Sequence, residues 1–274
     1  MASGLPRRTL LRDDPVFADV PLAPRHPISL AGAAGAVRLG VSCWNRLGGL
    51  LGVLSDALEL QPAAAAAVMA VESGGNGFQG ASAPRLMVRF EVHLFLRRCS
   101  ARGISGLAEP HFRFGAEQPW RGHEFRAAGS DPWRSVHSSQ ESEWEALQLA
   151  QKLDEDAAIA STSLGAPQIL GIHFATLGFS NPQAMLRAFS DCAVRSDGFG
   201  RRGEREQIFS FFEFLRRMPE RRPMIASLRG LDFLQFARAY NGSGQARRYA
   251  ERISVQYAAL LPYLPRNCVI HNHS

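Results

Sequence analysis

Apolar residues along this chain fall mainly into long stretches of helical character, and strand-like alternation is confined to one short segment. The stretch with the clearest start and stop runs from Pro62 to Gly80. Five alanines follow Pro62, then Val68, Met69 and Val71, and the run breaks at Glu72-Ser73 with Gly74, Gly75 and Gly77 close behind. Alanine has the best helix propensity, proline suits a first turn, and glycine ends a helix. The pattern predicts a largely buried helix that closes on a single carboxylate beside a permissive backbone. Apolar surroundings disfavour a charged carboxyl and raise its pKa, and the negative end of the helix dipole acts in the same direction. Glu72 reads either as a general acid working near neutral pH or as a solvated residue at a helix end.

The rest of the chain organises around that helix. Residues 1–27 carry Pro6, Pro15, Pro21, Pro24 and Pro27 with little periodicity, which predicts an extended leader. Leu30 to Trp44 and Leu47 to Leu58 read as two apolar helices. Leu86, Val88 and Phe90 alternate as a short strand does, and a helix is expected from Glu91 onward. Glu91 and His93 interrupt this apolar run, as a buried polar pair or as site residues. Residues 103–140 are irregular, and their Trp120 and Trp133 suit either sugar stacking or a small core. From Ser142 to Ala160 one amphipathic helix is predicted, with Trp144, Leu147, Ala150, Leu153 and Ala157 inward and its acids outward. Ser161 to Gly171 then reads as a backbone-lined floor presenting the amide of Gln168. Further helices are expected after Asn181-Pro182, over Gln207–Arg217, over Leu231–Tyr240 and over Tyr249–Leu260. The fold class is mainly α with at most a small β element: a leader over 1–27, one domain over 28–262 and a frayed tail over 263–274.

Composition narrows the function. With 46% hydrophobic and 20% charged residues this is an ordinary globular chain, and 274 residues suffice for a sizeable core. Net charge is +6, carried almost wholly by arginine since Lys152 is the sole lysine, so the surface favours polyanions. The four cysteines stand far apart and read as free, mostly buried thiols. No apolar run reaches the roughly 18 residues needed to span a membrane, and Asp13 and Asp14 interrupt any signal-peptide core behind Arg7, Arg8 and Arg12. GxxxxGK[ST] does not occur and Lys152 is the sole lysine, which excludes kinases and Walker-type NTPases. HExxH and GxSxG are also missing, and the eight histidines are scattered, so no metal site and no cofactor are expected.

A helix-end Glu, a Gly-rich turn, a Gln in a small-residue floor and a Tyr-Asn-Gly turn suit a glycan cleft. Splitting a glycosidic bond needs a protonated carboxyl at the leaving oxygen and a second group for water or for positive charge. Four segments also carry a resemblance: Val71 to Gly75, Phe90 to Phe95, Ser163 to Gly171, and Tyr240 to Gly242. In order and spacing they are similar to the N-acetylmuramidase domain of phage endolysins and bacterial lysozyme-like effectors, over about residues 50–262. The resemblance implies a lysozyme-like helical fold and cleavage of the N-acetylmuramic acid–N-acetylglucosamine bond. It implies Glu72 as catalytic acid, Glu91 as a second carboxylate, and Ser73, Gly75, His93, Ser163, Gln168, Tyr240 and Asn241 as substrate-binding residues. Ala166-Pro167 departs from the bulkier pair usual before the Gln, and Arg89 stands where an apolar residue is usual. Two other readings remain: a lytic transglycosylase forming 1,6-anhydro products, and a non-catalytic wall-binding part of a phage or secretion apparatus. The implied partners are peptidoglycan strands, a delivery machine and an immunity protein, with no nucleic acid; the implied site of action is the periplasm or wall.

Overall fold

A computed structural model of the chain describes residues 9–80, 82–195, 199–218 and 223–264. In chain order the α-helices and strands are α1 (Gly35–Ala57), α2 (Pro62–Ser73), β1 (Phe78–Gln79), β2 (Arg85–Leu86), β3 (Val88–Phe90), α3 (Val92–Ala101) and α4 (Ser105–Ala108). Next come β4 (Phe112–Arg113), β5 (Glu124–Phe125), β6 (Arg134–Ser135), α5 (Gln140–Leu153), α6 (Glu155–Ala160), β7 (Thr162–Leu164) and β8 (Ile169–Leu170). The remainder is α7 (Pro182–Ser190), α8 (Arg202–Arg217), α9 (Pro223–Arg229), α10 (Phe233–Asn241) and α11 (Ala246–Leu260). The mainly helical reading with a small β element is what the structure shows. Two units gather these elements: Met1–Gly77 with Asp191–Ser274, and Phe78–Ser190.

In the first unit α2 is the central helix, packed by α1 and α11. From Ala63 to Val71 no residue exceeds 5% exposure, so the helix has no solvent face to spare. Pro62 opens it, and Gly74 closes it in the left-handed conformation at φ 66°. The Gly74 and Gly75 amides return to the carbonyls of Ala70 (3.0 Å) and Met69 (3.1 Å), satisfying the last turn as a Schellman-type cap does. The two helices read over 30–44 and 47–58 are one: α1 runs unbroken through Gly48-Gly49.

The residues expected to form an extended leader hold two short 3-10 turns, Leu11–Asp13 and Pro15–Phe17, and bury Leu11, Phe17 and Leu22. Polar groups fasten the same stretch. Leu11 donates its amide to the buried Glu213 at 2.6 Å, and the Arg205 guanidinium donates to the carbonyls of Phe17 (3.0 Å) and Ala18 (3.1 Å). The carbonyl of Leu22 accepts from the amides of Gly49 (3.0 Å) and Leu50 (3.3 Å), so the chain crosses α1 at Gly49, where no side chain stands in its way. The proline count pointed to irregular backbone, but three spaced apolar residues are enough to seat it. The tail expected to fray lies outside the described residues from 265 on.

The second unit is built on a three-stranded antiparallel sheet in the order β3-β7-β8, with Phe90 opposite Thr162 and Leu164 opposite Ile169. A smaller antiparallel sheet, β4-β5-β6, gives residues 103–140 their only strands among the described residues. Phe90, Phe95 and Phe112 close the core there, with ring centroids 5.2–5.6 Å apart. The single helix read over 142–160 is two, α5 and α6. Asp154 breaks it in extended conformation and caps α6 by accepting the Ala157 amide at 2.9 Å. Nor do all acids of α5 face outward, since Glu143 is buried. Its Oε2 accepts the Phe90 amide at 2.8 Å, where a buried N–H would otherwise lack a partner.

A Cβ on Gly49 would lie 2.3 Å from the Ala23 carbonyl oxygen and 2.4 Å from that of Pro21. Backbone cannot swing aside as a side chain can, so Gly49→Ala is expected to cost about 1–3 kcal/mol as an overpacking change. Thermal melting of the two proteins checks this; an unchanged or raised Tm would mean that residues 21–23 are not seated on α1.

Candidate functional site

Glu72 sits one residue before the end of α2, and the burial of every preceding turn brings its half-buried carboxyl out of an apolar surround. Burial pushes its pKa up to about 7. Two groups oppose that shift. Asn241 donates from Nδ2 to Glu72 Oε1 at 3.0 Å, and the Arg252 guanidinium lies close enough to favour the anion. Arg252 also donates to the carbonyl of Val71 at 3.2 Å, supplying a partner for the exposed end of α2. Desolvation wins, and the carboxyl titrates where a proton can be held or released near neutrality.

Asn241 is the last residue of α10 and Tyr240 the residue before it. The Tyr240 ring stacks on Phe236 (5.3 Å between centroids, 20° between planes) and meets Phe214 edge-on at 5.5 Å. Three aromatic contacts, counting Phe211, fix the end of α10 and with it the amide that reaches Glu72. Burial first, then the neighbouring charges of Glu72 and Tyr249, raise the Tyr240 phenol well above its ordinary value, so it stays a neutral O–H. Glu72, Tyr240 and Asn241 are thus brought together from 169 residues apart. Ser73 accepts the Asn76 amide at its carbonyl (3.2 Å). Gly75 is buried with φ 73°, and a Cβ there would lie 2.5 Å from Cys43 Sγ, so packing as well as the turn requires glycine.

The other expected site residues lie in the second unit. Glu91 occupies the N-cap position of α3 without capping it through its side chain, and its Oε1 accepts from Arg89 Nε at 3.0 Å. Its Oε2 stands 3.7 Å from Nδ1 of both His93 and His123. Burial, with Arg97 and His137 beside it, lowers the His93 pKa, and burial takes His123 down to about 4. Ser163 is buried in the central strand β7, opposite Arg89 and Leu170. Gln168 occupies the β7–β8 turn at φ 51°, and its Nε2 donates back to the Gly165 carbonyl at 2.8 Å, so its amide braces its own turn.

Sequence reasoning missed His123, His137 and Glu143 as neighbours of Glu91, and Arg252 as a neighbour of Glu72. No local spacing links them, because tertiary packing alone assembles these groups. Trp133, read as a stacking or core residue, lies between the guanidinium groups of Arg113 and Arg126, each 4.4 Å from its ring.

With this geometry in place, the comparisons set the class of protein. The fold is similar to that in the crystal structure of the Burkholderia AP3 phage endolysin, with a TM-score of 0.53 at 24% identity over 76% of this chain and 67% of that one. The model of the Muramidase family, described as N-acetylmuramidase, matches residues 61–261, and the chain belongs to that family. It is a peptidoglycan hydrolase of lysozyme-like, mainly helical fold. No curated protein matches it. Among the described residues no helix is long and apolar enough to cross a membrane.

The raised pKa of Glu72 carries a stability signature. Folding moves the pKa from an ordinary carboxylate value of 4.5 to about 7, so between those pH values the folded chain holds the proton and the unfolded chain does not. Stability therefore falls as pH rises through that window, by at most about 3 kcal/mol for this group. Melting temperatures of wild type and Glu72→Gln across the window should diverge as pH rises, with wild type losing more. Asn241→Ala, which removes a bond favouring the anion, should steepen the loss; parallel curves for all three proteins would contradict it.

Proposed function

We propose that the chain hydrolyses the β-1,4 bond between N-acetylmuramic acid and N-acetylglucosamine, with Glu72 as the general acid. One observation carries the assignment: a carboxyl at the end of a fully buried helix, titrating near 7 and aligned by Asn241. A general acid works best when its pKa lies near the operating pH, and ordinary carboxylates are ionised there. Glu72 in its protonated form donates to the glycosidic oxygen as the bond breaks. Asn241 then stabilises the carboxylate that remains, because its amide bonds the charged form better than the neutral one. Tyr240, held neutral, adds a hydroxyl donor for the sugar, and Ser73, Gly75, His93, Ser163 and Gln168 complete the proposed substrate contacts.

Glu91 is the second carboxylate of this proposal, activating water or steadying the oxocarbenium-like charge. A second reading, lytic transglycosylase, needs only one acid and uses the sugar's own 6-hydroxyl in place of water. The engagement of Glu91 by Arg89 and its two neighbouring imidazoles favours that reading. Net charge of +6 supports attraction to the anionic polymers of a wall, which salt would screen.

The test is mass spectrometry of the soluble products released from purified sacculi. Wild type is expected to give reducing-end muramic acid, and Glu72→Gln to lower the rate by roughly 10²–10⁴-fold, the usual worth of a general acid. Products from Glu72→Gln at the wild-type rate would overturn the assignment. Anhydro products would select the transglycosylase, and sacculi bound without any release would indicate a wall-binding protein.

A further inference from the structure

The side chains around Glu91 form an arrangement that the glycosidase chemistry does not explain. His123 and His137 lie ring to ring, with His123 Nδ1 2.7 Å from His137 Nε2. The far nitrogen of each ring is also occupied. His137 Nδ1 stands 2.7 Å from Glu143 Oε1, and His123 Nε2 stands 2.8 Å from the Pro119 carbonyl oxygen. His93 approaches the same Nε2 less closely, at 3.2 Å.

Counting hydrogens exposes the problem. The contacts Glu143–His137, His137–His123 and His123–Pro119 each need one hydrogen, and Glu143 as a carboxylate and the Pro119 carbonyl bring none. Two neutral imidazoles supply two. If each ring spends its hydrogen on its outer acceptor, the inner nitrogens face each other lone pair to lone pair at 2.7 Å. A positive species belongs between them, either an extra proton or a metal ion.

We infer that Glu91 Oε2, His123 Nδ1 and His137 Nε2 form a binding site for a divalent transition-metal ion of the zinc class. The three ligand atoms lie within 4.8 Å of one another. Two imidazoles and a carboxylate are a donor set that zinc accepts, with a fourth position left for water. Both imidazoles already have the outer partners expected of metal ligands: a carboxylate on His137 and a backbone carbonyl on His123, which fix tautomer and ring orientation. Glu143 is itself fixed, since its other oxygen holds the Phe90 amide. Tetrahedral binding at about 2.0–2.1 Å needs the two inner nitrogens about 3.3 Å apart, so the rings must open by roughly half an ångström. Glu91 immediately precedes α3, His123 immediately precedes β5 and His137 lies just after β6, so one ion would tie together a region whose strands are two residues long. The inference uses one unit alone and stands whichever chemistry Glu91 performs.

The experiment uses the full-length, tag-free chain stripped with chelator, then given excess zinc sulfate and gel-filtered. Metal content by mass spectrometry is expected near one zinc per chain, with cobalt(II) giving the visible spectrum of a four-coordinate site. His137→Ala, at the half-exposed rim, and Glu91→Gln should each weaken binding by about tenfold or more, while Glu72→Gln leaves it unchanged. A wild-type chain that stays metal-free overturns the inference, whether or not the variants fold. Binding retained at full strength in both His137→Ala and Glu91→Gln overturns it equally.

Discussion

The burial of α2 from Ala63 to Val71 is the constraint on which the rest depends. A helix of alanines with two valines and a methionine contributes little specific packing of its own, so its neighbours must close on every face. That demand explains the glycines where α1 and the end of α2 press on other groups, and it explains why Gly75 lies against Cys43. It also explains the chemistry. A carboxyl placed at the end of such a helix has lost much of its water before any ligand arrives, and its charged form costs more than its neutral one.

The opposing groups around Glu72 are balanced rather than absent. Asn241 and Arg252 favour the anion, and burial outweighs both. If they were stronger the carboxyl would be ionised at neutral pH. If they were missing, it would hold its proton too tightly to give it up. Aromatic packing of Tyr240 on Phe236, Phe214 and Phe211 sets this balance indirectly, because it fixes where Asn241 can reach. The second cluster, around Glu91, follows a different logic: its polar groups face one another, with His137 between His123 and Glu143 at 2.7 Å from each.

Much of this was legible in the chain. The alanine run, Pro62 and the glycines marked α2 and its stop, because propensity and backbone freedom act locally. The alternation of Leu86, Val88 and Phe90 marked the strands that lead to Glu91. Local reasoning failed where a partner far along the chain decided the outcome. Asp154 looked like one more outward acid on a long helix until its capping bond split that helix in two. Glu143 looked solvated until the Phe90 amide claimed it. Histidines separated by 14 and 30 residues carried no motif, and only the loops between α3 and α5 bring them into contact. Residues 1–27 read as an extended leader, but Leu11–Asp13 and Pro15–Phe17 turn in 3-10 helices, and the anchoring of Leu11 depends on Glu213, some 200 positions away.

The central claim is that Glu72 is an acid with a pKa near neutrality, and its own titration tests that most directly. Carbon NMR of the side-chain carboxyl in glutamate-labelled protein, with the resonance assigned by its loss in Glu72→Gln, gives the midpoint without reference to any substrate. The account predicts a midpoint of about 7. A midpoint in the ordinary glutamate range, near about 4.3, would mean that burial does not govern this carboxyl and would contradict the account.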